Sequence, residues 1–167
     1  FAWRVALDGK KGKFDRDATS HLPDEVKALL ASGEDTEYDG ELLVAANYRN
    51  DSIPERSIII SGDTAEQAID SGCDLLIHEA TFLESHKDIA NEHLHSTAAG
   101  AARTAIECGA KHLALTHYSA RLDSHDASLS EAREIHASVV ALGDGDRLVL
   151  ADDFSLNHLT KQAEGWA

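Results

Sequence analysis

Ser57-Ile-Ile-Ile-Ser-Gly-Asp-Thr64 decides the fold. Three consecutive isoleucines between small polar residues suit a short strand buried on both faces, and Gly62-Asp63-Thr64 suits a tight loop at its carboxyl end. The pattern recurs: Asp74-Leu-Leu-Ile-His78 reads as a second buried strand and His112-Leu-Ala-Leu-Thr116 as a third. Helical signals fill the gaps. Thr64 can cap a helix over 65–71 closed by Gly72, and Ser96 or Thr97 can start one that carries Ala98, Ala102, Ala105 and Ile106 on one face and ends at Gly109. Ser128 and Glu131 have capping-box spacing before a helix that turns Leu129, Ala132, Ile135 and Val139 inward. Residues 139–142 and 147–151 flank Asp144-Gly145 as a hairpin. Strand and helix thus alternate from 57 to 151, the signature of α/β layering with helices on a sheet.

Upstream the signals are different. Trp3-Arg-Val-Ala-Leu7 is compatible with a short strand that runs into a Gly- and Lys-rich turn. Leu22, Val26, Leu29 and Leu30 recur at helical spacing after Pro23, and Gly33 can end that helix. Residues 34–56 are polar, with a turn signal at Asp39-Gly40 and a strand over 42–46, and read as an irregular insertion. The expected division is therefore residues 1–56, a strand plus insertion, and residues 57–167, the α/β body.

Composition sets the outer limits. A chain of 167 residues with 43% hydrophobic residues can bury one real core. No apolar run approaches the roughly 18–20 residues that span a bilayer, and Phe-Ala-Trp-Arg-Val at the start lacks a signal-peptide layout. Cys73 and Cys108 fall in aliphatic surroundings near helix–strand junctions and read as reduced packing residues, which fits a cytoplasmic protein without membrane contact. The chain has no methionine and begins at Phe1, so the natural translation start is expected elsewhere. A net charge of −15 repels nucleic acid at long range, so phosphate binding would need a local basic patch. Lys10, Lys11, Lys13 and Arg16 form the evident cluster.

Ligands of α/β sheets bind at the carboxyl ends of strands, and three strand ends here are polar: Gly62-Asp63-Thr64, His78-Glu79-Ala80-Thr81 and Thr116-His117-Tyr118-Ser119. The loop His93-Leu-His95-Ser-Thr97 precedes the alanine-rich helix. Each alone is an ordinary turn or structural histidine, but four on one sheet edge point to metal chemistry. Imidazole and carboxylate are the ligands of catalytic zinc, and a carboxylate can bridge two ions about 3.5–4 Å apart. Asp63 and His117 alone are too few for a complete zinc site.

Ser61-Gly-Asp63-Thr64, His78-Glu-Ala-Thr81, His95-Ser-Thr97 and Leu115-Thr-His117-Tyr-Ser119, in this order, resemble the tRNase Z (ribonuclease Z) family of metallo-β-lactamase-fold nucleases over residues 57–151. Gly12-Lys-Phe-Asp15 resembles the family segment that leads into its tRNA-binding arm. The resemblance implies the C-terminal half of an αββα sandwich, one sheet with flanking helices, within a cytoplasmic homodimer that removes the 3′ trailer of precursor tRNA with two zinc ions. It implies Asp63 as the carboxylate bridging the ions, His117 as a ligand of one, His95 as the proton donor to the leaving 3′ oxygen, and Glu79 as the residue that orients His95. Thr64, His78 and Thr81 are expected to shape loops or make buried hydrogen bonds. Residues 13–50 would take the place of the arm, although this stretch is acidic and lacks the Gly-Pro-rich tip of short-form members. The family's H-x-H-x-D-H motif, a further histidine ligand and the Asp assisting the attacking water would lie upstream, leaving the isolated chain inactive. Two other readings stay open: another hydrolase of the fold, such as a phosphodiesterase or arylsulfatase relative, and a non-catalytic α/β binding module.

Overall fold

The computed structural model describes residues 2–69 and 72–167. The chain divides into two compact units, Asp8–Glu55 and the remainder, whose first element is strand β1 (Trp3–Leu7).

In the unit Asp8–Glu55, helix α1 (Asp24–Ser32) follows Pro23, whose fixed φ suits a helix start. It stops at Gly33, which takes φ 98° and returns its N–H to the carbonyls of Leu29 and Leu30. Strands β2 (Thr36–Tyr38) and β3 (Glu41–Leu43) pair around Asp39 and Gly40. Both turn residues have positive φ, 53° and 78°, as a two-residue hairpin requires. The strand expected over 42–46 is therefore shifted, and Ala45–Tyr48 forms a 3-10 turn whose first N–H is held by Asp35. Leu22, Leu30 and Ala45 form a small core under Phe14, Val26, Leu43 and Tyr48. Lys10, Lys11, Lys13 and Arg16 are exposed.

The α/β body continues with β4 (Arg56–Ile60), β5 (Leu75–Glu79), the short helix α2 (Lys87–Glu92), α3 (Ala98–Glu107), β6 (His112–Thr116), α4 (Asp126–Arg133) and β7 (Val139–Ala141). The sheet order is β1-β4-β5-β6-β7. Strands β4 to β7 run parallel and β1 is antiparallel to β4, so the sheet is mixed. Its three inner strands, β4, β5 and β6, are the three apolar runs of the sequence. β5 and β6 are buried along most of their length, whereas β4 buries Ile59 and leaves Ile60 39% exposed, so it is not covered on both faces as expected. One core cluster joins Ile59, Leu76, Leu113 and Leu115 of the sheet to Ala98, Ala101, Ala102 and Ala105 of α3 and Ala132 of α4. Small side chains let α3 lie close to the sheet. Thr97 caps α3 by accepting the Gly100 N–H. Cys73 and Cys108 are both buried and free, and burial pushes the Cys73 thiol up to about 12, with Cys108 beside it adding to the shift.

Several expectations are corrected. No helix forms over 65–69, where Glu66 pairs with Arg103 of α3 instead; 70 and 71 lie outside the described residues. Ile106 is 56% exposed, so the inward face of α3 is narrower than the spacing suggested, and α4 ends at Arg133, leaving Ile135 exposed beyond it and Val139 in β7. Ser128 and Glu131 lie inside α4, and Glu131 accepts the N–H groups of Glu84 and Ala99 from other segments. Residues 139–142 and 147–151 are no hairpin. β7 joins β6 in parallel, whereas β8 (Arg147–Leu150) pairs antiparallel with β9 (Leu156–Leu159), and β10 (Lys161–Gln162) pairs with β11 (Gly165–Trp166). No helix among the described residues is long and apolar enough to cross a membrane.

Candidate metal and acid–base centre

Parallel strands deliver their carboxyl ends to one edge, and the expected residues gather there. Asp63 lies in the loop after β4, Glu79 is the last residue of β5, and His117 follows β6 with φ 54°, a left-handed conformation uncommon outside glycine. His95 comes from the loop between α2 and α3, where Leu94 takes φ 58°.

The geometry forms two pairs. His95 Nδ1 lies 2.7 Å from Glu79 Oε1, and His117 Nε2 lies 3.6 Å from Asp63 Oδ2. The two imidazoles stack, with ring centroids 5.3 Å apart. Their environments differ sharply: the Glu79 side chain is 1% exposed and that of Asp63 63%.

Glu79 is held on every side. Oε1 accepts the Thr64 N–H at 2.8 Å besides His95, and Oε2 accepts the Thr81 hydroxyl at 2.6 Å and the Thr81 N–H at 3.2 Å. Burial alone would raise its pKa, but the hydrogen bonds from Thr81, His95 and the backbone of Ser96 and Thr64 outweigh it and hold the carboxyl below its usual range. Because the ionised carboxylate can only accept, the proton between it and His95 belongs to Nδ1. In neutral His95 the other nitrogen, Nε2, is then bare and can take or, once charged, give a proton.

Glu79, His95 and His117 each offer a ligand atom within 4.8 Å of the others, so this trio could hold a metal ion. The Glu79 oxygens, however, already accept hydrogen bonds from Thr64, Thr81 and His95 that coordination would disrupt. Asp63 and Nε2 of His117, which face each other at 3.6 Å, carry no such burden. Their half-open position and their carboxylate and imidazole chemistry suit a hydrolytic metal, for which they would supply two donors of the set.

No family model matches the sequence. Among known proteins the chain is 38% identical over 146 residues to ribonuclease Z of Haloarcula marismortui, covering 82% of this chain and 47% of that one. It is 31% identical over 169 aligned positions to ribonuclease Z of Shouchella clausii, covering 96% of this chain and 52% of the relative. Over the stretch it represents, the chain is similar to ribonuclease Z at 31–38% identity. It spans about half the length of the curated relatives it matches. Among solved structures, similarity extends to the human short-form tRNase Z (32% identity, TM-score 0.41, 61% of this chain and 33% of that one) and to a metallo-β-lactamase-fold protein of Bacillus subtilis (26% identity, TM-score 0.47, 53% and 37%).

In this chain, Asp63, Glu79, His95 and His117, the four residues singled out from sequence, meet at one edge. His93 does not join them; it is exposed at the end of α2. His78 is buried, donates Nδ1–H to the Glu79 carbonyl, and is kept neutral by burial, which lowers its pKa. Thr81 makes the buried hydrogen bonds expected of it, and its hydroxyl contacts both pairs: Glu79 Oε2, His117 Nδ1 at 2.8 Å and the His117 carbonyl at 3.1 Å. A signal for this existed, since Glu79 and Thr81 stand two residues apart and extended backbone puts such residues on one side.

Proposed function

We propose that the chain is part of a zinc-dependent endoribonuclease that removes the 3′ trailer of precursor tRNA. The observation that carries this is the Glu79–His95 pair beside the Asp63–His117 pair on one strand edge, in a sequence similar to ribonuclease Z. Asp63 and His117 would be this chain's ligands for the zinc, with the remaining ligands supplied from outside the 167 residues. When bound, zinc supplies an acidified water and charge stabilisation at phosphorus. His95, charged and oriented by Glu79, would give a proton from Nε2 to the departing 3′ oxygen, and Glu79 would stabilise that charged state. Residues 13–50 would form the surface that docks the tRNA elbow. Family resemblance extends the reading to a cytoplasmic homodimer, which sedimentation of the full-length protein checks.

The division of roles has a direct test in the full-length protein. His95→Ala should slow precursor cleavage by about 10²–10⁴-fold with zinc content unchanged. Asp63→Ala should lower both cleavage and zinc content. Equal zinc loss in the two variants would overturn the assignment.

A further inference from the structure

The Thr81 hydroxyl has more polar neighbours than one proton can serve. Oγ1 lies 2.6 Å from Glu79 Oε2, 2.8 Å from His117 Nδ1, 3.1 Å from the His117 carbonyl and 3.4 Å from His95 Nδ1. Glu79 gathers N–H groups from Thr64, Thr81 and His95, an arrangement that suits an ionised carboxylate. A carboxylate oxygen 2.6 Å from a hydroxyl oxygen requires the hydroxyl proton between them; otherwise two sets of lone pairs would face each other in a buried site. Thr81 therefore gives its one proton to Glu79, the shortest contact, rather than to the His117 carbonyl at 3.1 Å, and its lone pairs are what it offers to the His117 ring. At 2.8 Å, Nδ1 of His117 must then be the donor. Neutral imidazole has one N–H, so Nε2 is left bare, and Nε2 is the atom that lies 3.6 Å from Asp63.

We propose that Thr81 is a positioning residue that locks His117 in its Nδ1–H tautomer and so presents Nε2 as the metal-binding nitrogen. Through the same hydroxyl, the carboxylate that orients His95 also sets the tautomer of His117. One buried acid thereby aligns both imidazoles, His95 directly and His117 through Thr81. Partners of this kind behind a metal-bound histidine are worth about 10–100-fold in metal affinity. The tautomer follows from hydrogen-bond geometry alone; that Nε2 meets a metal rests on the function proposed above.

Two-bond proton–nitrogen correlation spectra of the ¹⁵N-histidine-labelled 167-residue chain, at about pH 8 where an ordinary histidine is neutral, read the tautomer without metal or activity. His117 should show a single Nδ1–H form. Thr81→Val, which keeps the shape and removes the hydroxyl, should give a mixture or the Nε2–H form, and Thr81→Ser should restore the original. In the full-length protein, competition with a chromogenic chelator should show Zn²⁺ bound about 10–100-fold more weakly by Thr81→Val and near normally by Thr81→Ser. An Nε2–H or evenly mixed His117 in the unsubstituted chain would overturn the proposal. So would an unchanged tautomer, or unchanged Zn²⁺ affinity, in Thr81→Val. If Thr81→Val fails to fold, the unsubstituted chain and Thr81→Ser still decide the matter. Failure of the proposed function reads differently: full-length protein with the expected tautomer and Zn²⁺ affinities but no precursor cleavage.

Discussion

His95 Nδ1 lies 2.7 Å from Oε1 of Glu79, a carboxylate that is 1% exposed at the carboxyl end of β5. An acid so placed is both a structural clamp and an electrostatic partner. Besides His95, it ties the loop after β4, through the Thr64 N–H, to the turn at Thr81. Removing it leaves buried donors unmatched.

Glu79→Ala should therefore destabilise the α/β body by about 3 kcal/mol, the scale of a few unsatisfied buried hydrogen bonds. Glu79→Gln should cost less, because the amide keeps the shape and one acceptor oxygen while its NH₂ group opposes a donor. Urea denaturation with the slope held constant measures both. Equal stability of the alanine variant and the unsubstituted chain would show that the hydrogen bonds at Glu79 carry no net stabilisation.

Much of this was legible in the sequence because it is local. An isoleucine run between turn residues can hardly be anything but a strand, and strand ends place Asp63, Glu79 and His117 together once the strands are parallel. What escaped is non-local. The hairpin around Asp144-Gly145 gave way because Val139 finds Leu113 across the sheet. The helix expected over 65–71 is absent over 65–69, where Glu66 meets Arg103. Ser128 and Glu131 satisfy capping-box spacing, but spacing cannot say whose N–H the carboxylate takes. Thr81 lay in plain view, yet its contact with His117 depends on a left-handed turn at His117 that no local signal announces.

Glu131 supplies a cap from outside the helix it serves. Its carboxylate accepts the N–H of Ala99 in the first turn of α3 and that of Glu84, so Glu131→Ala should cost about 1–2 kcal/mol, as loss of a helix N-cap does. The loss should appear as faster amide exchange at Ala99 and Glu84. Fraying confined to α4 would instead mean that Glu131 acts within its own helix.

Gly100 is in α3, where alanine ordinarily gains up to about 1 kcal/mol over glycine. Here a Cβ would stand 2.8 Å from Ser96 Oγ, 3.0 Å from Glu66 Oε2 and 3.1 Å from the capping Thr97 Oγ1. Crowding the cap should win, and Gly100→Ala should destabilise by about 1–3 kcal/mol. A higher melting temperature for this variant would show that the cap yields easily.

Glu84 offers a test by pH. Burial would raise its pKa, but the Thr97 hydroxyl, the Arg103 guanidinium and Lys87 together bring it from 4.5 down to about 2. Because the folded value lies below the unfolded one, the chain binds fewer protons folded than unfolded between these limits, and stability falls as pH falls through them. The contribution of Glu84 is complete above roughly pH 5, mostly lost by about pH 2 and gone below it. Glu84→Gln should accordingly be less stable than the unsubstituted chain at neutral pH, with the difference shrinking as acid is added. Comparing the two chains cancels carboxylates that share no partner with Glu84, such as Asp74, whereas Glu66 pairs with the same Arg103 and Lys87 and responds to the substitution along with it. Added salt should reduce the neutral-pH difference, because Glu84 and Arg103 are partly exposed. Urea midpoints from pH 7 to pH 2 measure it, and a difference that stays constant across that range would mean the ion pairs at Glu84 contribute nothing beyond shape.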